Sequence, residues 1–180
     1  MNEELELFRT NVQRFIEAEI TPHYELWERD EIFPRELWQK LGEQGLLCVD
    51  IPESYGGAGA DFPFSMAITE AFSRANCGAI GGPMAVHSDI VAHYLLNNGS
   101  EEQKATYLPG MASGECVGAV AMTEPGAGSD LQGVRTTARR DGDDYLINGA
   151  KTFITNGQHC DLVIVVARTD LDVPGSRGTT

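Results

Sequence analysis

Near residue 115 the hydrophobic period of this chain switches from helical to extended, and that switch leaves few architectures open. Leu5, Phe8, Val12, Phe15, Ile16 and Ile20 share one face at a period of about 3.6 until Thr21-Pro22 interrupts them. Pro34 suits the first turn of a second helix carrying Leu37, Trp38 and Leu41, with Gly42 or Gly45 available to end it. After the glycine-rich loop from Ser54 to Asp61, the pattern predicts a third helix over Pro63 to Arg74. A fourth runs from Pro83 to Asn98-Gly99, with Met84, His87, Val91, Tyr94 and Leu95 on one side. Ser100-Glu-Glu-Gln103 matches a capping box, in which each side chain bonds the other residue's orphan amide. The fifth helix opened there should fade near Pro109-Gly110.

Beyond Gly114 the chain reads as short β-rich runs: Cys116 to Thr123, Val134 to Arg139, Tyr145 to Ile147, Thr152 to Thr155 and Leu162 to Arg168. Asp141-Gly142, Asn148-Gly149 and Asn156-Gly157 separate most of them, and such pairs favour tight hairpins because glycine accepts positive φ. Helices first and strands second, without βαβ alternation, predict an α+β chain. A helical domain over residues 1–115 would precede an antiparallel β domain over residues 116–180. The stretch from Asp170 to Thr180 reads as a loop entering another strand, so the β domain reads as incomplete.

Composition narrows function by exclusion. With 42% hydrophobic and 22% charged residues the chain is ordinary globular protein. No apolar run reaches the roughly 20 residues of a membrane span, and Met1-Asn-Glu-Glu4 is acidic where a targeting peptide would be basic, so a soluble, cytoplasmic protein is expected. A net charge of −14 disfavours nucleic acid and anionic membranes, both of which need clustered cations. The acidic residues of the first 36 positions read as a solvated helical face. Cys48, Cys77, Cys116 and Cys160 form no C-x-x-C pair, and His23, His87, His93 and His159 have no ligand spacing. No serine sits in a G-x-S-x-G elbow. Metal and hydrolase chemistry lose their usual support.

The most specific stretch is Ala121-Met-Thr-Glu-Pro-Gly-Ala-Gly-Ser-Asp-Leu-Gln-Gly133. It is no dinucleotide fingerprint, because Leu131 stands where the third glycine belongs and a strand, not a helix, should follow. Pro125, Gly126 and Gly128 permit a tight excursion with exposed amides, flanked by the hydroxyls of Thr123 and Ser129. Such a loop can cradle a polar ligand, phosphate above all. By itself the pattern suits a structural turn equally well.

The block Met122 to Asp130 with Gly133 resembles the signature of the acyl-CoA dehydrogenase family. A second family element, a bulky residue followed by Ile-Thr on a strand, is matched by Phe153-Ile154-Thr155, with phenylalanine where many members carry tryptophan. Ile51-Pro-Glu53 leading to Tyr55-Gly-Gly57, and Gly99 to Gln103, add support. The resemblance covers essentially the whole chain and is closest in appearance to the long-chain type.

That resemblance implies a shelf for FAD. Val120, Ala121, Met122, Thr123, Gly128 and Ser129 would run along the cofactor, with the Thr123 hydroxyl on the pyrimidine edge of the flavin. Ser129 would lie near the pyrophosphate and the acyl-CoA. Phe153, Ile154 and Thr155 would form the other wall, Phe153 packing on the ring and the Thr155 hydroxyl bonding near N5. The implied reaction is α,β-dehydrogenation of an acyl-CoA to trans-2-enoyl-CoA in fatty-acid or branched-chain acyl catabolism. A glutamate expected beyond residue 180 would be the base, in a carboxyl-terminal helical bundle that this chain lacks. Without it, the fragment should be inactive alone. An electron-transfer flavoprotein would reoxidise the flavin, and a homotetramer is the implied assembly. Glu124 is better suited to capping neighbouring amides than to proton abstraction, and Glu53 and Glu70 read as solvated or helix-terminal. The alternatives are an acyl-CoA oxidase or nitroalkane-oxidase-like flavin enzyme, and a non-catalytic scaffold. The face of Met84, His87 and Val91 suits either an acyl pocket or plain core.

Overall fold

The computed structural model describes residues 3–173 and 175–180 and divides into two compact units, Met1–Gly118 and Ala119–Thr180. Pro174, within the expected closing loop, lies outside the described residues.

Unit 1 is helical. Helix α1 (Glu3–Phe15) continues through a widened turn, Ile16–Ile20, so the amphipathic stripe ends where Thr21-Pro22 was expected to stop it. A short helix α2 (Tyr24–Arg29) follows that the apolar periodicity did not announce, because none of its residues is buried. Helix α3 (Glu36–Glu43) buries Leu37, Trp38 and Leu41. Helix α4 (Phe62–Arg74) opens with Pro63 in its first turn, where a missing amide costs nothing. The next helix begins earlier than Pro83, at Gly78, as α5 (Gly78–Ala85). It runs through a second widened turn, Val86–Val91, into α6 (Ala92–Asn98). Pro83, the sixth residue of that run, lies inside the helix and withholds one amide from the helical ladder, which continues past it.

Helix α7 (Glu101–Ser113) carries the expected capping box, Ser100 Oγ accepting from the Gln103 amide at 3.2 Å and Gln103 Oε1 from the Ser100 amide at 2.9 Å. It does not fade at Pro109. Leu108, Met111 and Ala112 are buried and hold the last turn until Gly114, at φ +77, ends it. Val12, Ile20, Trp38, Leu41, Phe72, Ile80 and Val117 form the centre of the core. His87, fully buried, ties three elements together. Its Nε2 donates to the Met111 carbonyl and its Nδ1 accepts from the Gly118 amide, both at 3.0 Å.

Unit 2 is a small β structure. Strand β1 (Gly118–Ala121) pairs with β4 (Leu162–Val165), while β2 (Thr137–Asp141) and β3 (Asp144–Asn148) form an antiparallel hairpin. Gly142, at φ +66, begins the hairpin loop, as the Asp141-Gly142 signal predicts. The two pairs are joined around Arg168, whose carbonyl accepts from Ala138 and whose amide donates to Thr136, each at 2.8 Å. Two expectations fail here. Asn148-Gly149 and Asn156-Gly157 close no two-residue hairpins, and Thr152 to Thr155 is not a strand. Phe153 and Asn156 both take left-handed backbone, at φ +54 and +67, which no strand accommodates. The stretch from Asp170 to Thr180 bends through a short 3-10 turn, Gly175–Gly178, and returns as a single bridge from Thr179 to Arg168. Among the described residues no helix is long and apolar enough to cross a membrane, and no group of three His, Cys, Asp or Glu gathers around a metal position.

Candidate functional site

The conspicuous loop of the sequence leaves β1 at Ala121 and turns at once. The Glu124 amide donates to the Ala127 carbonyl at 2.8 Å and the Ala127 amide returns to the Glu124 carbonyl at 3.1 Å, closing a tight turn over Pro125 and Gly126. Ala127 is buried beneath it. Asp130 then accepts from the Gln132 amide at 3.0 Å and starts a 3-10 turn, Leu131–Gly133. A β-carbon added at Gly126 or Gly128 would meet no atom of the chain within 4 Å. Neither glycine is therefore required by packing; what both leave is an open floor that a ligand can approach closely.

Beneath the loop lies an ion pair. Glu124 is 7% exposed, and its carboxylate accepts from the Arg135 amide at 2.7 Å, the Thr136 amide at 2.9 Å and Lys151 Nζ at 2.9 Å. Burial pushes this carboxyl up, but the donors of Thr136, Arg135 and Lys151 outweigh that and hold it at about 2. Lys151 Nζ also donates to the Met122 carbonyl at 2.8 Å, and the Thr152 amide donates to the Thr123 carbonyl at 3.0 Å. The segments 122–124 and 151–152 are thus bonded side by side. Glu124 caps amides, as its place beside Pro125 suggests. Lys151 is the residue the sequence reading missed. Its only signal is that it is one of three lysines and stands alone in the β region.

This stitching brings the two expected walls of the site together. Val120 and Ala121 lie on β1, Met122 and Thr123 follow it, and Thr152 delivers Phe153 beside them. Phe153 is 92% exposed on a left-handed backbone, an arrangement that costs energy and gains no packing within the chain. Ile154 is half-buried, and its carbonyl accepts from the Gly157 amide at 2.9 Å. Thr155 and Ser129 are exposed and Thr123 is half-buried. Among the described residues none bonds their three hydroxyls. Among the described residues no bond ties Ser129 to Thr123 or to Phe153. The arrangement is an accessible surface with one aromatic face, an open glycine floor and three free hydroxyls, suited to a planar polar ligand bearing phosphate.

Residues 2–115 match the family model for the acyl-CoA dehydrogenase N-terminal domain, and residues 119–180 match the model for the acyl-CoA dehydrogenase middle domain. The chain belongs to the acyl-CoA dehydrogenase family. It is 50% identical over 167 residues to the mitochondrial long-chain specific acyl-CoA dehydrogenase of Sus scrofa, a match covering 93% of this chain and 38% of that protein. An acyl-CoA dehydrogenase from Geobacillus kaustophilus superposes with a TM-score of 0.95 at 46% identity, over all of this chain and 47% of that one. A glutaryl-CoA dehydrogenase from Mycobacterium smegmatis, solved in complex with FADH2, superposes with a TM-score of 0.88 at 32% identity, over 94% of this chain and 44% of that one. The chain therefore spans roughly two fifths of the length of the acyl-CoA dehydrogenase from Sus scrofa.

Proposed function

We propose that this chain supplies the helical and β portions, residues 1–115 and 116–180, of an FAD-dependent acyl-CoA dehydrogenase. The observation that carries the reading is Phe153, an aromatic ring exposed on strained backbone and bonded through its neighbour to the glycine-floored loop. A flat heteroaromatic ring would cover that face. The residues present fit FAD, whose pyrophosphate suits the open floor at Gly126 and Gly128.

In this reading Val120, Ala121, Met122 and Thr123 line the cofactor with backbone and with the Thr123 hydroxyl. Gly128 lets its phosphates approach, and Phe153, Ile154 and Thr155 form the opposite wall. When bound, the flavin would accept hydride from the β-carbon of an acyl-CoA thioester. The free hydroxyls of Thr123 and Thr155 would hold the ring in register and oppose negative charge on it, work for which fixed donors are suited because they need no reorganisation. Ser129 would sit toward the phosphates and the acyl-CoA. Glu124 is unsuited to take the α-proton: its carboxylate is already held by three donors and stays ionised down to about pH 2. The base is assigned to a glutamate outside residues 1–180, and an electron-transfer flavoprotein and a homotetramer follow from the family resemblance.

The test is the visible spectrum of the whole protein carrying this chain, before and after anaerobic addition of saturated acyl-CoAs of graded length. Bound flavin bleached by one length class is the expected result. Bound flavin that no acyl-CoA bleaches would redirect the reading to another flavin reaction, and a protein without flavin would end it.

A further inference from the structure

The Met122 carbonyl and the Thr123 amide are the two ends of one peptide unit, and Lys151 holds the first of them. Its Nζ donates to that oxygen at 2.8 Å and to Glu124 Oε1 at 2.9 Å. Little water reaches the ammonium, since the Lys151 side chain is 11% exposed and that of Glu124 6%. Among the described residues every peptide bond is trans, so C=O and N–H of one unit point in opposite directions. With the carbonyl turned onto the buried lysine, the Thr123 N–H is turned away from it. Among the described residues nothing accepts from that amide. The next carbonyl, that of Thr123, is held by the Thr152 amide at 3.0 Å, which fixes the direction of the chain on the other side of the free N–H.

A cation on a carbonyl oxygen draws electron density toward it and leaves the amide hydrogen of the same unit more positive. The Thr123 amide is therefore a stronger donor than one whose carbonyl meets a neutral partner. Glu124 does not cancel the ammonium, because its carboxylate is answered also by the Arg135 amide at 2.7 Å and the Thr136 amide at 2.9 Å. Exclusion of water preserves a field that solvent would otherwise screen. The result is a fixed, polarised donor without a partner in the chain, which costs no reorganisation when negative charge arrives in front of it.

We infer that Lys151 is a positioning residue for the negative charge of a reduced flavin: by holding the Met122 carbonyl it aims and strengthens the Thr123 amide as a donor to the pyrimidine edge of the ring. The inference rests on the flavin reading above and adds to it the residue that sets how much more tightly the site holds the reduced cofactor than the oxidised one.

The experiment is a spectroscopic reduction titration of FAD bound to the whole protein carrying this chain, with dithionite against a dye of known potential, beside a fluorescence titration of FAD affinity. In Lys151→Met the reduced cofactor should be held about tenfold less well relative to the oxidised one, a midpoint lower by about 30 mV for a two-electron couple. That variant strands the buried Glu124 carboxylate, so Lys151→Met/Glu124→Gln is measured beside it. The net charge of the pair is then unchanged while the bond to the Met122 carbonyl is gone, and the same ratio should fall about threefold. Lys40→Met, which removes a lysine paired with Glu19 in unit 1, should leave the midpoint where it was. A midpoint unchanged in the double variant, with FAD affinity alone reduced, is the result of a purely structural lysine. That outcome, or an equal fall in Lys40→Met, would overturn the inference and leave the flavin reading standing. A wild-type protein that binds no FAD would overturn both.

Discussion

Lys151 donates to the Glu124 carboxylate at 2.9 Å with both side chains nearly closed to solvent, 11% and 6% exposed. The pair holds the two loops of unit 2 side by side together with the bonds from Lys151 Nζ to the Met122 carbonyl and from the Thr152 amide to the Thr123 carbonyl. Removing one member leaves a buried carboxylate without its countercharge, and breaking such a pair costs about 3 kcal/mol. Lys151→Met should therefore lower stability by about that amount, and hydrogen exchange at the Arg135 and Thr136 amides should accelerate. Unchanged exchange at those amides would show the pair to be dispensable.

His87 sets an acid limit on unit 1. Burial, with Arg35 adding to it against the Met111 carbonyl, lowers its pKa from 6.5 to about 4. The unfolded chain takes up the proton first as pH falls, so stability is whole above pH 6.5 and declines toward pH 4, by about 3 kcal/mol. Glu124 continues the decline: its lowered carboxyl contributes fully above its ordinary 4.5 and is lost as pH falls through about 2. Asp89 acts oppositely, favouring the fold below 3.8 and losing that contribution as pH rises through about 6. Urea titrations between pH 4 and 7 on the chain and on His87→Gln isolate the histidine, since the variant should show the shallower slope. Parallel curves would refute this assignment.

Two glycines separate folding from binding. A β-carbon at Gly149 would stand 2.2 Å from Thr136 Oγ1 and 2.7 Å from Thr136 Cα, so Gly149→Ala should destabilise by about 2 kcal/mol. At Gly126 the added methyl meets nothing, and stability should stay within about 0.5 kcal/mol. If the floor receives phosphates, Gly126→Ala should still weaken FAD binding several-fold in a fluorescence titration of the whole protein. Unaltered affinity would argue that the turn is merely structural.

Phe153 offers the reverse experiment. Glycine at that position relieves a left-handed backbone that costs a side chain about 1 kcal/mol, and it forfeits almost no packing because the ring is 92% exposed. Phe153→Gly should unfold at equal or higher urea concentration while binding flavin less well. Loss of stability would mean that the ring packs within the chain after all.

Local signals served best where a single element decides its own structure. The stripe from Leu5 to Ile20, Pro63 at the start of α4, the Ser100–Gln103 capping box and Gly142 in the hairpin are all readable because their determinants lie within a turn or two. The exposed helix α2 was missed because no buried face marks it. Pro109 misled because the contacts that keep α7 helical past it, at Leu108 and Met111, come from elsewhere in unit 1. Phe153-Ile-Thr155 reads as a strand by composition, yet Lys151 and Thr152 bind it to a loop nearly thirty residues away and turn it left-handed.

The amino-acid sequence alone determined the order of helical and β units, the family, and the loop on which a ligand should be sought, because periodicity and a contiguous motif are local properties. Tertiary structure decided that Glu124 is a buried structural anion, that Lys151 is its partner, and that Phe153 is offered bare to solvent. Those facts depend on residues far apart in the chain meeting at hydrogen-bonding distance, and on which atoms remain without a partner once the core has closed.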